Sequence, residues 1–113
     1  MPGAAPRRKG SRFELEVARF LAANGHQHVE RAYGAGRSDD RGDLDGLPGW
    51  VVEVKNHKSI DLAGWCDEAE AERVNAGQPF AAVVAKRRNR PVGDAYVVLT
   101  LERFAALLTE AST

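Results

Sequence analysis

The chain has 113 residues, 43% of them apolar and 28% charged, and its 16 basic and 16 acidic side chains give a formal net charge of zero. This length predicts one domain with its own hydrophobic core. A single cysteine, Cys66, excludes an internal disulfide. No apolar stretch approaches the roughly 20 residues of a membrane span, and the N-terminus lacks the apolar core of a signal peptide. We therefore expect a cytoplasmic protein that does not enter membranes.

The chain is predicted to open with a basic arm. Residues 1–9 carry Arg7, Arg8 and Lys9, and we expect this arm to be flexible; taken alone, such a basic cluster is typical of a solvated surface. Residues 10–113 then form the single domain.

The first helix is predicted at about 11–23, because apolar residues recur there with the period of one buried helical stripe. The stripe consists of Phe13, Val17, Phe20 and Leu21. Ser11 and Glu14 have the spacing of a capping box at its start, and Gly25 is a stop signal at its end.

Three short strands are predicted next, at 28–33, 43–47 and 50–55. The last is the most distinct, because β-branched and aromatic residues dominate it. The dipeptide at 48–49, Pro-Gly, is typical of a turn, so the second and third strands are expected to form a hairpin. A glycine-rich charged loop separates the first strand from the second.

The C-terminal half is predicted as a helix at about 61–76, strands at 80–86 and 95–100, and a closing helix at 101–111. Asp61 is a candidate N-cap. On the first of these helices one apolar face is expected, formed by Leu62, Trp65, Cys66, Ala69 and Val74. The closing helix is expected to direct its apolar residues inward, namely Leu101, Phe104, Leu107 and Leu108. The order α-β-β-β-α-β-β-α predicts an α/β fold, with a central mixed sheet flanked by helices.

The strand at 50–55 contains two charged residues whose positions indicate a site. Glu53 and Lys55 project from one face, because side chains alternate along a strand. Asp43 lies across the turn and can approach Glu53. Two close carboxylates repel each other unless a cation offsets their charge, and Mg²⁺ prefers such oxygen ligands. A bound metal can activate water for phosphodiester hydrolysis, while a lysine neutralises the developing negative charge.

Other interpretations of these acids stay open at this point. Glu53 and Lys55 alone could form a surface salt bridge. Glu14 can lean from the first helix toward the sheet edge as a third carboxylate. Asp45 shares a strand face with Asp43 and could be the ligand, a second ligand or only a turn residue; Asp43 is preferred because it follows a glycine.

A resemblance sharpens this interpretation. The sequence GD at 42–43, the ten-residue step to Glu53 and the sequence EVK at 53–55 resemble the PD-(D/E)XK nuclease motif, with glycine in place of the usual proline. The sequence KGSRFE at 9–14 resembles the opening of archaeal-type Holliday junction resolvases. Arg31 falls where those resolvases also carry an arginine.

The resemblance implies a restriction-endonuclease-like α-β-β-β-α-β core and a metal-dependent endonuclease that resolves branched DNA in recombination and repair. It implies that Glu14, Asp43, Glu53 and the backbone carbonyl of Val54 ligate Mg²⁺, for which Mn²⁺ can substitute. Lys55 would be the catalytic lysine. The partners implied are branched duplex DNA and a second copy of the chain, in a homodimer.

The expected DNA contacts are the basic residues Arg7, Arg8, Lys9, Arg12, Arg31, Arg37 and Arg41. Arg31 can instead support the site, and Arg37 and Arg41 can equally serve only to solvate their loop. The acidic segment 67–72 departs from the pattern, since it is unlike a DNA-facing surface. A nuclease of the same fold with another DNA substrate and a non-catalytic DNA-binding module are the alternatives.

Two further features are left open. The basic cluster at 86–90 either clamps a phosphate backbone or is a soluble turn. Trp65 can stack on a base, although its helical spacing favours the core or a dimer interface.

Overall fold

The chain follows the predicted order of elements. A computed structural model describes residues 4–32 and 42–112, with side chains from Arg12 onward. The elements are α1 (Ala4–Ala23), β1 (Glu30–Arg31), β2 (Leu44–Asp45), β3 (Trp50–Lys55), α2 (Leu62–Ala76), β4 (Phe80–Ala85), a short 3₁₀ helix (Val92–Asp94), β5 (Tyr96–Val98) and α3 (Leu101–Ala111). The α/β class with a mixed sheet flanked by helices is confirmed.

The central sheet has three strands in the order β3-β4-β5. The strands β3 and β4 run parallel, and β5 is antiparallel to β4. The parallel pair requires a crossover, which α2 provides. One edge of β3 is therefore left without a strand partner in this sheet.

The predicted hairpin between the second and third strands is wrong. The strand β2 pairs with β1 in a separate antiparallel sheet. A tight turn does join β2 to β3, since the Trp50 N–H donates to the Leu47 carbonyl at 3.0 Å and Gly49 has a φ of 87°. The segment before β2 contacts β3 through a single backbone hydrogen bond in place of a hairpin ladder: the Asp43 N–H donates to the Val52 carbonyl at 2.8 Å.

Apolar side chains cover both faces of β3. On one face Val52 and Val54 pack with Phe13 and Val17 of α1. On the other face Val51 packs with Trp65 and Ala69 of α2, as do residues of β4. Residues 51–54 are all buried, so the sheet lies between α1 and α2, and burying these faces supplies most of the stability of the fold.

The helix α1 begins at Ala4, earlier than predicted. Residues 4–9, expected as a flexible arm, therefore lie in a helix, and Ser11 lies inside α1 rather than capping it. The predicted end is confirmed. Gly25 has a φ of 103°, and the His26 N–H donates to the Leu21 carbonyl at 3.0 Å, which closes the helix.

The bounds of α2 agree with the prediction. The Asp61 carboxylate accepts a hydrogen bond from the Gly64 N–H at 3.0 Å, and Gly77 ends the helix with a left-handed φ of 66°. The predicted apolar face is only partly correct, because Leu62 and Val74 are exposed. Trp65 is buried in the core, as its spacing favoured.

The closing helix α3 has the predicted bounds but not the predicted packing. Its N-cap Thr100 accepts a hydrogen bond from the Arg103 N–H at 3.1 Å. Leu101, Phe104 and Leu108 were expected to face inward, yet they are 80%, 45% and 52% exposed. The helix α3 packs only lightly against the sheet, on β4, which α2 covers more extensively.

Candidate active site

Asp43 is fixed against the free edge of β3 by two hydrogen bonds. Its N–H donates to the Val52 carbonyl at 2.8 Å, and its Oδ2 accepts the Val54 N–H at 2.7 Å. In a strand, the N–H and C=O of one residue point to the same side. The Val54 carbonyl, predicted as a metal ligand, therefore lies on the same edge as Asp43.

Gly42 explains why glycine stands where the resemblance has proline. Its φ is 92°, and a Cβ at this position would lie 2.9 Å from the Val52 carbonyl oxygen. Proline fixes φ near −65° and cannot adopt this conformation. The approach of Asp43 to β3 in this chain thus depends on glycine at position 42.

Glu53 is buried, with 5% of its surface exposed. Burial, followed by hydrogen bonding to Glu72 and the charge of Asp43, raises the pKa of Glu53 from 4.5 to about 11. A hydrogen bond between two carboxyl groups needs a proton on one of them. Glu53 is therefore protonated at neutral pH in the metal-free protein and shares hydrogen bonds with both Glu72 and Asp43.

Glu14, on α1, lies close to Asp43. Its Oε1 accepts a hydrogen bond from Arg31 Nε at 3.1 Å. Burial and then the charge of Asp43 raise the pKa of Glu14, while Arg31 partly opposes the rise. Arg31 therefore supports the site through Glu14, which was one of the two roles predicted for it.

Lys55 projects beside these acids, with its Nζ 2.6 Å from Glu68 Oε1 and 3.9 Å from Glu53 Oε2. Burial alone would lower the pKa of Lys55. The hydrogen bond and then the charge of Glu68, with a smaller influence of the neighbouring acids, outweigh burial, and the pKa of Lys55 is raised. The protonated Glu53 is a weak second partner at 3.9 Å, so Glu68 mainly holds the ammonium group.

Two site residues were missed from the sequence, Glu68 and Glu72 of α2. The acidic segment 67–72 was interpreted as a solvated face unlike a DNA-binding surface. A signal was present, because Glu72 follows Trp65 and Ala69 with helical spacing and so falls on their buried stripe. Glu72 is 4% exposed. A glutamate within an apolar helical stripe indicates a buried polar site rather than a soluble surface.

The carboxylate cluster, which we define as Glu14, Asp43, Glu53 and Glu72, suits a hard divalent cation by its chemistry. All its donors are carboxylate oxygens, and the raised pKa values of Glu14 and Glu53 show that the cluster resists full ionisation. Among residues 12–32 and 42–112, the acids that lie close together do not have the mutual spacing of three ligands around one metal ion. The residues thus fit an ion such as Mg²⁺, which keeps several waters and needs few protein ligands.

The rival acid Asp45 lies elsewhere. It sits on β2 in register with Glu30, and the carboxylate that binds the edge of β3 belongs to Asp43. The structure therefore brings Glu14, Asp43, Glu53 and Lys55 together and leaves Asp45 outside the group.

The predicted DNA contacts are described only in part. Arg12 is exposed on α1. The side chains of Arg7, Arg8 and Lys9 lie outside the description, as do Arg37 and Arg41 entirely, so these contacts stay predictions.

Comparison of the chain with family models, with curated proteins and with solved structures gives no match in any of the three. No helix in the described ranges combines the length and apolar character needed to cross a bilayer.

Proposed function

We propose that the protein is a divalent-metal-dependent DNA endonuclease with a restriction-endonuclease-like PD-(D/E)XK core, and that branched DNA is its substrate. The observation that carries the proposal is the convergence of Asp43, Glu53 and Lys55 at the free edge of β3, with Glu14 joining from α1. These four residues, spread over 42 positions of sequence, lie close together, which supports the proposal.

In this proposal Glu14, Asp43, Glu53 and the Val54 carbonyl would hold Mg²⁺ or Mn²⁺. The ion supplies Lewis-acid stabilisation of phosphate charge and a water of lowered pKa. Because Glu53 holds a proton in the metal-free protein, binding of a cation must release that proton, as at other sites whose ligands bind metal in their ionised form.

Lys55 would act on the phosphate. Its raised pKa keeps the side chain cationic at neutral pH, so the ammonium can donate hydrogen bonds to a phosphate oxygen as negative charge develops. Glu68 holds the ammonium group in place at 2.6 Å. Arg31 holds Glu14 in the same way, which leaves both functional groups oriented before substrate arrives.

The test is a cleavage panel of four-way junctions, flaps, linear duplex and single strands, each with Mg²⁺ and with chelator. We expect Mg²⁺-dependent cleavage, fastest on the junction. Asp43→Asn, Glu53→Gln and Lys55→Ala should each reduce the rate by at least about 10²-fold, as loss of one transition-state-stabilising group does elsewhere. The matched control is Asp45→Asn, which removes a carboxylate two residues from Asp43 and should cleave normally.

The outcomes separate the alternatives. Cleavage of linear duplex in preference to junctions would identify a nuclease of this fold with another substrate. Binding of DNA without any metal-dependent cleavage would identify a non-catalytic module. Full activity in Asp43→Asn would contradict the role given to that residue.

A homodimer belongs to this proposal, because two cuts in one junction need two sites and each chain supplies one. The exposed stripe of Leu101, Phe104 and Leu108 on α3 is the surface we assign to the second copy. Sedimentation equilibrium should give a dimer for the wild type and a monomer for Leu101→Asp. A monomeric wild type would contradict this assignment and leave the cleavage test unaffected.

A further inference from the structure

A cleft of about 500 Å³ opens where β3 and β4 end. Its walls come from the segment after β3, the segment between β4 and β5, and the ring of Tyr96. The carboxyl ends of parallel strands are a common location for binding sites in α/β folds. None of the residues assigned to cleavage above lines this cleft.

The cleft is strongly basic. None of its lining residues is acidic, and five are cationic: Lys58, Lys86, Arg87, Arg88 and Arg90. Among residues 12–32 and 42–112, Arg90 alone of the five forms an ion pair, with Asp94 at 3.0 Å. Such a concentration of unneutralised positive charge favours an anionic ligand. We call this feature the basic cleft.

Two of the cations are held in place by aromatic rings. The Arg87 guanidinium lies 4.8 Å from the centroid of the Tyr96 ring, and Lys86 Nζ lies 5.5 Å from that of Phe13. Cation–π contacts of this kind restrict the side chains without neutralising their charge. The cleft is thus partly organised for an anion before any ligand binds.

The basic cleft adjoins the proposed active site through the backbone. Lys55 and Ala85 are partners in the parallel ladder, and the Lys86 N–H donates to the Lys55 carbonyl at 2.9 Å. Asn56 and Lys86, the next residues of the two strands, already line the cleft. The cleft therefore begins one residue beyond Lys55 along β3, so a polymer bound at Lys55 would extend directly into it.

We propose that the basic cleft binds the phosphodiester backbone of the DNA strand next to the phosphate that is cut. This inference rests on the proposed nuclease function and extends it to the substrate path. An extended polyanion fits better than a small one, because five cationic side chains line a cleft of about 500 Å³ that continues from the strand ends carrying Lys55. Phosphate contacts of this type position the substrate without reading its sequence.

The experiment measures DNA binding in chelator, where no cleavage occurs. The double variant Lys58→Gln/Arg88→Gln removes two exposed cations from the basic cleft, and Arg19→Gln is the control, an exposed arginine on α1 outside it. Fluorescence anisotropy with a labelled four-way junction gives Kd at several salt concentrations. Thermal unfolding checks that each variant is folded.

We expect the double variant to bind about 10-fold or more weakly at low salt, with the slope of log Kd against log salt reduced by roughly two, since each lost phosphate contact removes about 0.9. Arg19→Gln should stay within about twofold of wild type. Wild-type affinity and slope in the folded double variant would overturn the proposal. Equal competition by inorganic pyrophosphate and by DNA of the same charge concentration would also overturn it, because it would identify a small-anion site.

The two proposals fail separately. If the wild type cleaves DNA and the double variant binds normally, the basic cleft proposal is wrong and the nuclease proposal stands. If no DNA is cleaved but the double variant loses binding, DNA still occupies the cleft and only the catalytic proposal is wrong.

Discussion

The carboxylate cluster and the basic cleft lie at the edge and the end of the same strand, β3, yet they are built in opposite ways. The cluster is largely buried, and Glu53 and Glu72 are 5% and 4% exposed. Its members hydrogen-bond to each other, with the pKa of Glu53 raised to about 11. The basic cleft is open, and most of its cations have no acidic partner among the described residues.

The two regions differ in how they affect the stability of the fold. Buried carboxyl groups are stable only when they share protons or bind a cation, so the cluster makes folding depend on pH and metal. Exposed cations stay hydrated and affect folding little. The zero net charge of the chain therefore conceals two regions of opposite sign, one tied to stability and the other available for ligand.

The largest effect is expected from Gly42→Pro, which attacks the anchoring of Asp43. The ring cannot adopt a φ of 92°, so Asp43 should leave the edge of β3 and cleavage should be lost. The free energy of unfolding should fall by about 3 kcal/mol, measured by urea denaturation. Gly77→Ala is the control, since its φ is also positive but a Cβ there meets no neighbour; it should cost about 1–2 kcal/mol and keep activity. A stable, active Gly42→Pro would show that the conformation at position 42 is not required.

The second effect concerns pH. In chelator the folded protein holds a proton on Glu53 that the unfolded chain releases near pH 4.5. The stability of the protonated cluster is therefore fully present below pH 4.5 and declines as pH rises toward about 11, by up to about 1.4 kcal/mol per pH unit. Glu53→Gln, whose amide replaces the protonated carboxyl, should flatten this decline in urea titrations between about pH 6 and pH 9.

Asp67→Asn, which changes an exposed acid on α2, is the control for that titration and should decline as the wild type does. Mg²⁺ should flatten the decline in the wild type and in Asp67→Asn, because it replaces the proton, and should change little in Glu53→Gln. Identical pH dependence in Glu53→Gln and wild type without metal would contradict the shared-proton description of the cluster.

The smallest effect is expected in the basic cleft. Arg90→Ala breaks an exposed ion pair with Asp94 and should change the free energy of unfolding by less than about 0.5 kcal/mol. Asp94→Ala, which breaks the same pair from the other side, should change it equally little. A fall of about 2 kcal/mol in the free energy of unfolding, measured by thermal unfolding, would show that the basic cleft stabilises the fold. It would weaken the contrast with the carboxylate cluster.

The sequence was sufficient for the elements whose signals are local. Asp61, Gly25 and Gly77 mark helix ends by backbone chemistry, and the β-branched run at 50–55 identified β3. It was also sufficient to propose Asp43, Glu53 and Lys55 as neighbours. Periodicity predicted α3 correctly, but period alone does not say whether a surface exists for the stripe to cover.

The missed features depend on tertiary contacts. Glu72 belongs to the site only because α2 crosses over the face of β3 that carries Glu53. The positive φ of Gly42 follows from how closely the loop approaches β3. Neither contact can be derived from local propensity, since both require knowledge of which face of the sheet each element covers.

The parallel pairing of β3 with β4 has a consequence for how the molecule is made. The two strands are joined only through α2, so the ladder that holds Lys55 closes between residues 50 and 85. A chain still emerging from the ribosome cannot complete this ladder until β4 has been synthesised. The proposed active site should therefore be incomplete in nascent chains shorter than this and should form late in translation.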